Sequence, residues 1–288
     1  MTSTTGTKQT DQWSPTDYVA HASFVPALAT RVVTLLDPQE SDTILDLGCG
    51  DGVLSLELAA RCAHVHATDS SEKMVAYAGA RAAAKDDGKM RVQVIDAATE
   101  VAQLVPAGTY NKVFSSATYH WVFGSVRTTA ERQRAIKDVY EILPSGGVFV
   151  VECGGQGNIA EILVALTSCV INAWARKGVV RTAEEIRQTL WPWYFVSDAE
   201  MREWLTSAGF TIDVLESEYR PTTLNGSDEG MKGWLQTFGF TFWAGLSESE
   251  KWAAIDEAVE MLRGADWVEY SKSWVAGYVR CRFRAVKK

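Results

Sequence analysis

The stretch Thr43-Ile-Leu-Asp-Leu-Gly-Cys-Gly-Asp-Gly52 decides how the chain is read. Residues 43–47 are apolar apart from Thr43 and Asp46, the pattern of a short strand buried on both faces. Glycines at 48, 50 and 52 follow at once, and residues 53–62 then read as an Ala- and Leu-rich helix. A strand, a glycine turn and a helix make the opening of a ligand-binding unit in a parallel sheet. The alternation repeats towards the C-terminus. Residues 65–68, 90–95, 112–116 and 148–153 read as strands, and 71–85 and 128–143 as helices. Towards the N-terminus, residues 19–36 carry apolar side chains at helical spacing. Strands alternating with helices of about 10–15 residues predict an α/β fold with a doubly wound, Rossmann-like sheet.

Beyond Gly157 the alternation stops. Helical periodicity runs over 158–177, 182–190, 197–208, 228–242 and 247–262, with strand-like segments at 211–215 and 275–286. Ser197-x-x-Glu200 and Ser247-x-x-Glu250 are capping-box signals. The expected organisation is a disordered tail (1–12) and a sheet domain (13–155) completed by about 197–222 and 270–288. A helical cap (156–196 and 223–269) completes it. Nine of the eleven tryptophans lie after residue 150. Trp204, Trp252 and Trp274 fall on periodic segments and read as packing. Trp191, Trp193, Trp234 and Trp243 fall in the cap and read as the wall of a pocket.

Composition removes several function classes. The 288 residues are 47% hydrophobic and carry a net charge of -8, with no run of basic residues longer than two. Nucleic acid and anionic membrane surfaces are therefore not expected partners. The first dozen residues hold no apolar stretch, so no secretory leader is expected. The longest apolar run, 159–175, is interrupted by Glu161 and Asn172 and is shorter than the ~20 residues of a membrane span. Five scattered cysteines without a Cys-x-x-Cys argue against zinc ribbons and thioredoxin-type sites, and for a reducing, cytoplasmic setting. His64 and His66 alternate along a strand and cannot easily share one metal ion.

Three ligand classes compete for the glycine turn. A phosphate-binding Walker loop ends in Gly-Lys-Ser/Thr, whereas Val53 follows Gly52 here. A dinucleotide fingerprint puts its third glycine at position 53, one residue too late for this loop. The third class, S-adenosylmethionine, has no phosphate and needs close backbone approach to an amino-acid tail. Asp69 ends the second strand, where a carboxylate can hold both ribose hydroxyls, although a nicotinamide site would use an acid there too. Asp96 ends the third strand and can meet an adenine amino group. Met74 lies one turn into the following helix and can cover the ring. Each has a plainer reading, as a cap or as core; their order on consecutive strand ends is what favours the ligand.

Residues 44–52, together with Thr68-Asp-Ser-Ser-Glu-Lys-Met74, resemble the class I S-adenosylmethionine-dependent methyltransferases over about the first half of the chain. A narrower resemblance spans nearly the whole length. Ala117-Thr-Tyr-His-Trp121, Gly154-Gly-Gln-Gly-Asn158, Pro192-Trp-Tyr-Phe195, Arg220-Pro-Thr222, Trp234-Leu-Gln-Thr-Phe238 and Tyr278-Val-Arg280 are similar to the trans-aconitate methyltransferase-like group. The resemblance implies a methyltransferase acting on a small molecule, with carboxylate acceptors favoured, as a monomer or homodimer. It assigns cofactor contacts around Asp46, Gly48, Cys49, Gly50, Asp69, Ser70, Met74, Asp96, Ala97 and Ser116. It puts His120 and Trp121 at the reacting end, and Trp13 and Tyr18 in a lid over the cofactor. Ser116, Val196 and Met201 depart from the group's usual Asn, Pro and Tyr, near the presumed acceptor.

Methyl transfer from a sulfonium needs alignment and the exclusion of water more than it needs acid or base. A carboxylate acceptor is already ionised at neutral pH and needs a cation nearby. Arg220 is the leading candidate, Arg127 and Arg181 weaker ones. A hydroxyl or thiol acceptor benefits from a base, and His120 is the candidate catalytic residue, as base or as acceptor-orienting group. Its plain alternative is a hydrogen-bonded packing histidine. Trp121, Trp193, Tyr194 and Trp234 complete the expected acceptor site. Rival functions are S-, O- or N-methylation of an apolar metabolite, a non-catalytic cofactor-binding regulator and, by the glycine spacing least favoured, an oxidoreductase.

Overall fold

The computed structural model describes residues 11–22, 28–104, 108–226 and 229–288. The expected disordered tail lies outside the described residues except for Asp11 and Gln12. Two helices, α1 (Pro15–Ala22) and α2 (Thr30–Leu36), stand where one was expected over 19–36, and residues 23–27 between them lie outside the described residues. The alternating core follows: β1 (Thr43–Leu47), α3 (Val53–Ala59), β2 (His64–Asp69), α4 (Glu72–Lys85), β3 (Met90–Val94), β4 (Lys112–Ser116), α5 (Tyr119–Ser125), α6 (Thr129–Ile142) and β5 (Val148–Gly154). Next come α7 (Ala160–Arg176), α8 (Ala183–Thr189), α9 (Asp198–Ala208), β6 (Phe210–Thr223), α10 (Gly230–Phe238), α11 (Glu248–Asp266), β7 (Trp267–Val268) and β8 (Ser273–Lys287).

The sheet runs β3-β2-β1-β4-β5-β8-β6, with β7 paired to β8. The first five strands are parallel, and β8 enters antiparallel between β5 and β6. Chain order reverses between β1 and β4, which opens a crevice at the C-terminal ends of those strands. Along β5, Phe149 and Val151 pack into the core that holds α6 and α9, while Val148 and Val150 pack into the core that holds α2 and α3. That alternation is why β5 reads as a continuous apolar run: both faces are covered.

Two helix starts, at Ser197 and Ser247, were legible as capping boxes, and the structure adds others at Thr128 and Thr182. Thr128, Ser197 and Ser247 each accept the N–H of a glutamate three residues on, and that glutamate reaches back to the cap N–H. Such caps contribute about 1 kcal/mol each. β6 is longer than the strand expected over 211–215. It pairs with β8 from Phe210 opposite Lys287 to Thr223 opposite Val275, and a periodicity rule cannot see that non-local register. Pro221 sits inside it without penalty because β6 is the edge strand. A third core joins α7, α8, α10 and α11 through Leu166, Trp193, Trp234, Trp243 and Trp274. Among the described residues no helix is long and apolar enough to cross a membrane.

Candidate active site

A cavity of about 410 Å³ runs along the C-terminal ends of the strands. Its charged lining is sorted by position in the sheet. Asp69 and Asp96 lie at the ends of β2 and β3; Glu152, Arg220 and Arg280 lie on β5, β6 and β8, and Arg127 follows α5. One half of the sheet thus presents acids alone, and the other presents arginines gathered around one acid, Glu152.

The acid half is built around the glycine turn. Gly48 has φ +81°, and a Cβ there would fall 2.2 Å from the Thr118 side chain, so the turn closes only with glycine. Gly50 N–H donates to Oδ2 of Asp69 (3.0 Å) and Ser71 N–H to its Oδ1 (2.9 Å). Those bonds fix the carboxylate, and each oxygen keeps a lone pair for a further donor. Burial pushes the Asp69 pKa up despite the backbone donors. Of the residues assigned to the cofactor, Gly48, Gly50, Asp69, Ser70, Met74, Asp96, Ala97 and Ser116 line the cavity. Asp46 and Cys49 do not. They line a small adjoining pocket that shares Tyr18, Gly48 and Ser116 with the main cavity. Asp46 points there because its Oδ2 accepts from Ser55 in α3 (2.6 Å), and burial raises its pKa to about 7.

The residues expected at the acceptor end divide in the same way. Trp13, Tyr18, His120, Trp121, Trp193, Arg220 and Trp234 line the cavity. Tyr194 does not. Side chains alternate along the segment before Val196: Trp193 meets Trp121 and Trp234, and Phe195 meets His120, while Tyr194 turns the other way. Its hydroxyl donates to Glu200 (2.5 Å), and the Arg132 guanidinium lies 3.8 Å from its ring centre. Trp243 is also turned away, its indole N–H on the Leu235 carbonyl (3.3 Å), whereas Trp191 joins the wall. Trp204 and Trp274 are buried packing residues, and Trp252 packs against the helical core. Arg181 lies over the Trp174 ring, outside the cavity lining.

At the start of the chain, Oδ2 of Asp11 accepts from Ser71 (2.8 Å), and Lys73 Nζ donates to its carbonyl (2.9 Å). That anchors the segment beside Asp69 and sets Trp13 edge-on to Trp121 (5.0 Å) and Phe240 (5.6 Å). The Tyr18 ring faces Gly50, whose added Cβ would be 3.8 Å from its hydroxyl. Burial, Asp51 and Asp69 together hold the Tyr18 phenol protonated.

The main feature that sequence reasoning missed is the arrangement around Glu152, a buried residue near the end of β5. Arg280 Nε donates to it (3.2 Å), Arg220 forks onto both oxygens (3.3 Å each), and Arg282 Nε donates as well. Burial acts to raise the Glu152 pKa, but Arg280, Arg220 and Arg282 outweigh it and hold the carboxyl below its ordinary range. Arg282 is matched a second time by Glu218 (2.7 Å). Arg282 also faces Glu216 (3.9 Å), so it is Arg220 and Arg280, the two guanidiniums that line the cavity, that share the single carboxylate of Glu152. Arg220, expected as a free anchor, is half of an internal ion pair. Arg280 is 4% exposed, lies in the register pair Gly154↔Arg280 and lines the cavity. The motif Tyr278-Val-Arg280 marked it; nothing in the sequence paired it with a residue 128 positions away.

His120 stands at the junction of the two halves. Its Nδ1 accepts the Gly154 N–H (3.1 Å), and its ring lies 5.9 Å from those of Trp121 and Phe195. Burial, then Arg280, pushes its pKa well below the usual histidine range. Ala117, just ahead of α5, adopts φ +58°, a costly conformation for a residue with a Cβ and one that clusters at functional sites.

Comparison with known proteins gives the family. Residues 44–147 match the methyltransferase-domain family. An uncharacterized methyltransferase of Schizosaccharomyces pombe is 33% identical over 96% of this chain and 99% of its own. Nocamycin O-methyltransferase of Saccharothrix syringae is 25% identical over 89% of this chain and 92% of its own. Trans-aconitate 2-methyltransferase of Mycolicibacterium gilvum is 34% identical over 38% of this chain and 40% of its own. The chain belongs to the class I S-adenosylmethionine-dependent methyltransferases.

The residues present fit that cofactor. Gly48 and Gly50 of the turn line the cavity, Asp69 retains acceptor capacity for a vicinal diol, and the buried Ser116 hydroxyl has no protein partner. When bound, S-adenosylmethionine supplies a methyl group made electrophilic by a positive sulfur.

Proposed function

We propose that the protein methylates an oxygen of a small carboxylic acid with an apolar body, in the manner of the trans-aconitate methyltransferase-like group its motifs resemble. The observation that carries this is the pair of cavity-lining guanidiniums, Arg220 and Arg280, that share the one carboxylate of Glu152 at the end of the cavity away from Asp69 and Asp96. An ionised acceptor gains a charge-assisted bond there, while an amine brings a second positive charge into a buried site. Trp13, Trp121, Trp193, Trp234 and Phe240 line the remainder and suit an apolar body larger than a tricarboxylate of a few carbons. The segment that follows α8 (residues 190–195), α10 and the turn after it supply much of this chamber, with Trp13 and Tyr18 of the α1 segment beside them. The O-methyltransferase activity of a relative matched over most of its length supports an oxygen acceptor.

This reading predicts a charge preference that can be measured without knowing the natural acceptor. Phenylacetate should bind the S-adenosylhomocysteine-loaded protein at least ~10-fold more tightly than phenethylamine. Arg280→Gln should erase most of that preference and leave S-adenosylhomocysteine affinity within about twofold. Equal binding of acid and amine, or tighter binding of the amine, in calorimetry would remove the carboxylate assignment.

A further inference from the structure

Among the described residues His120 is the histidine that lines the cavity, and its hydrogen bond decides which role it can play. The backbone N–H of Gly154 donates to Nδ1. A ring nitrogen that accepts carries its lone pair and no proton, so in the neutral ring the proton sits on Nε2. The arrangement is held from several sides. Gly154 is fixed in β5, where an added Cβ would fall 2.7 Å from the Phe195 ring. The Tyr194 N–H ties the His120 carbonyl (2.9 Å), and Trp121 and Phe195 flank the imidazole. With Nδ1 engaged, Nε2–H is the edge left for the cavity that His120 lines.

We propose that His120 presents a fixed Nε2–H donor to the acceptor, holding its non-reacting oxygen, and takes no proton during transfer. This rests on the carboxylate reading above and narrows it: the site accepts oxygens that arrive already ionised. An ionised carboxylate that takes a methyl group becomes a neutral ester and releases no proton. A neutral hydroxyl would release one, and the surrounding groups offer it no place. Glu152, from β5, is engaged by Arg220 of β6 and by Arg280 and Arg282 of β8. Tyr278 of β8, whose pKa burial raises to about 12, and Tyr18 of α1 are both protonated at neutral pH. Burial, and after it Arg280, keeps His120 itself neutral, the form in which Nε2–H donates.

Nitrogen NMR of the imidazole-labelled full chain tests the tautomer directly. His120 is assigned against His21, His64 and His66 by its loss in His120→Gln. The expected result is a bare, pyridine-type Nδ1 and a protonated Nε2, unchanged from about pH 5.5 to 8.5. A protonated Nδ1, or a titration midpoint inside that window, would overturn the proposal. The kinetic arm uses labelled S-adenosylmethionine with phenylacetate. Gln can place an amide N–H near Nε2 but cannot act as a base, so His120→Gln should keep kcat/KM within ~10-fold of the parent. His120→Ala should lose ~100-fold. A Gln variant as inactive as Ala, with an acidic limb near pH 6–7 in the parent, identifies a base instead. If no acid is methylated but the NMR result holds, the carboxylate reading fails and the tautomer assignment stands.

Discussion

Asp69→Ala should abolish tight binding of S-adenosylhomocysteine. The Asp69 carboxylate is held by Gly50 N–H and Ser71 N–H at the end of β2 and lines the cavity. Two charge-assisted bonds to a ribose, at roughly 1.5–3 kcal/mol each, amount to a loss of at least ~100-fold in affinity. The substitution also leaves the Gly50 and Ser71 amides without their acceptor, which loosens the turn. Asp69→Asn keeps the shape but not the charge and should fall between the two. Calorimetry with S-adenosylhomocysteine gives the number. Affinity unchanged within twofold in Asp69→Ala would place the nucleoside elsewhere.

Glu152→Gln should be the most destabilising single change near the site. Arg280 and Arg282 are 4% and 2% exposed, and Glu152 is the carboxylate that both share. Removing one partner of a buried ion pair costs about 3–5 kcal/mol, because the charge left behind is neither solvated nor matched. For a chain of this size that corresponds to a melting temperature lower by ~10 °C. Glu218→Gln removes an exposed partner of the same Arg282 and should cost less than about 1 kcal/mol. The pH dependence has a defined sign. The folded pKa of Glu152 is depressed, so its contribution is present above the ordinary value near 4.5 and is lost as pH falls through the folded pKa. Thermal denaturation of the parent should therefore show an acid-side loss below pH 4.5 that Glu152→Gln lacks. Equal melting temperatures for the parent and Glu152→Gln would mean that the arginines are not held in this way.

The cofactor half was legible because its signals are local. A glycine turn, an acid at a strand end and a methionine one turn into a helix each sit within a few residues of the element that positions them. Gly48, Asp69, Met74 and Asp96 accordingly lie where their spacing places them. The acceptor half was only partly legible, because its geometry comes from strand pairing across the whole chain. Arg280 meets Glu152 through the β5–β8 register, and Arg220 reaches it from the edge strand β6. No local pattern reveals either pairing, so Arg220 looked free and Arg280 was only one member of a motif. Tyr194 illustrates a finer limit. The Trp-Tyr-Phe block was recognised, but which members of an alternating segment face the ligand depends on one bit of register, set by the bridge between Gly155 and Val196. Asp46 marks the opposite case: its position was right, and Ser55 of α3 turned its carboxylate to the adjoining pocket. The tryptophans divided for the same reason. Trp234 and Trp191 face the cavity, while Trp243 lies only nine residues past Trp234 and is buried by the 3₁₀ turn Phe240–Trp243.

On the proposed function, the arginine end of the cavity holds an ionised acid while its oxygen is methylated. The most direct test is the chemical nature of the product bond. The protein is incubated with methyl-labelled S-adenosylmethionine and apolar acids such as phenylacetate, cinnamate and hexanoate, alongside phenols and amines on the same carbon frames. The products are then treated with mild alkali, which cleaves methyl esters and spares methyl ethers, thioethers and amines. The account predicts transfer to acids, with the label released by alkali as volatile methanol. Label transferred only to the phenols or amines, in a form that survives alkali, would contradict it.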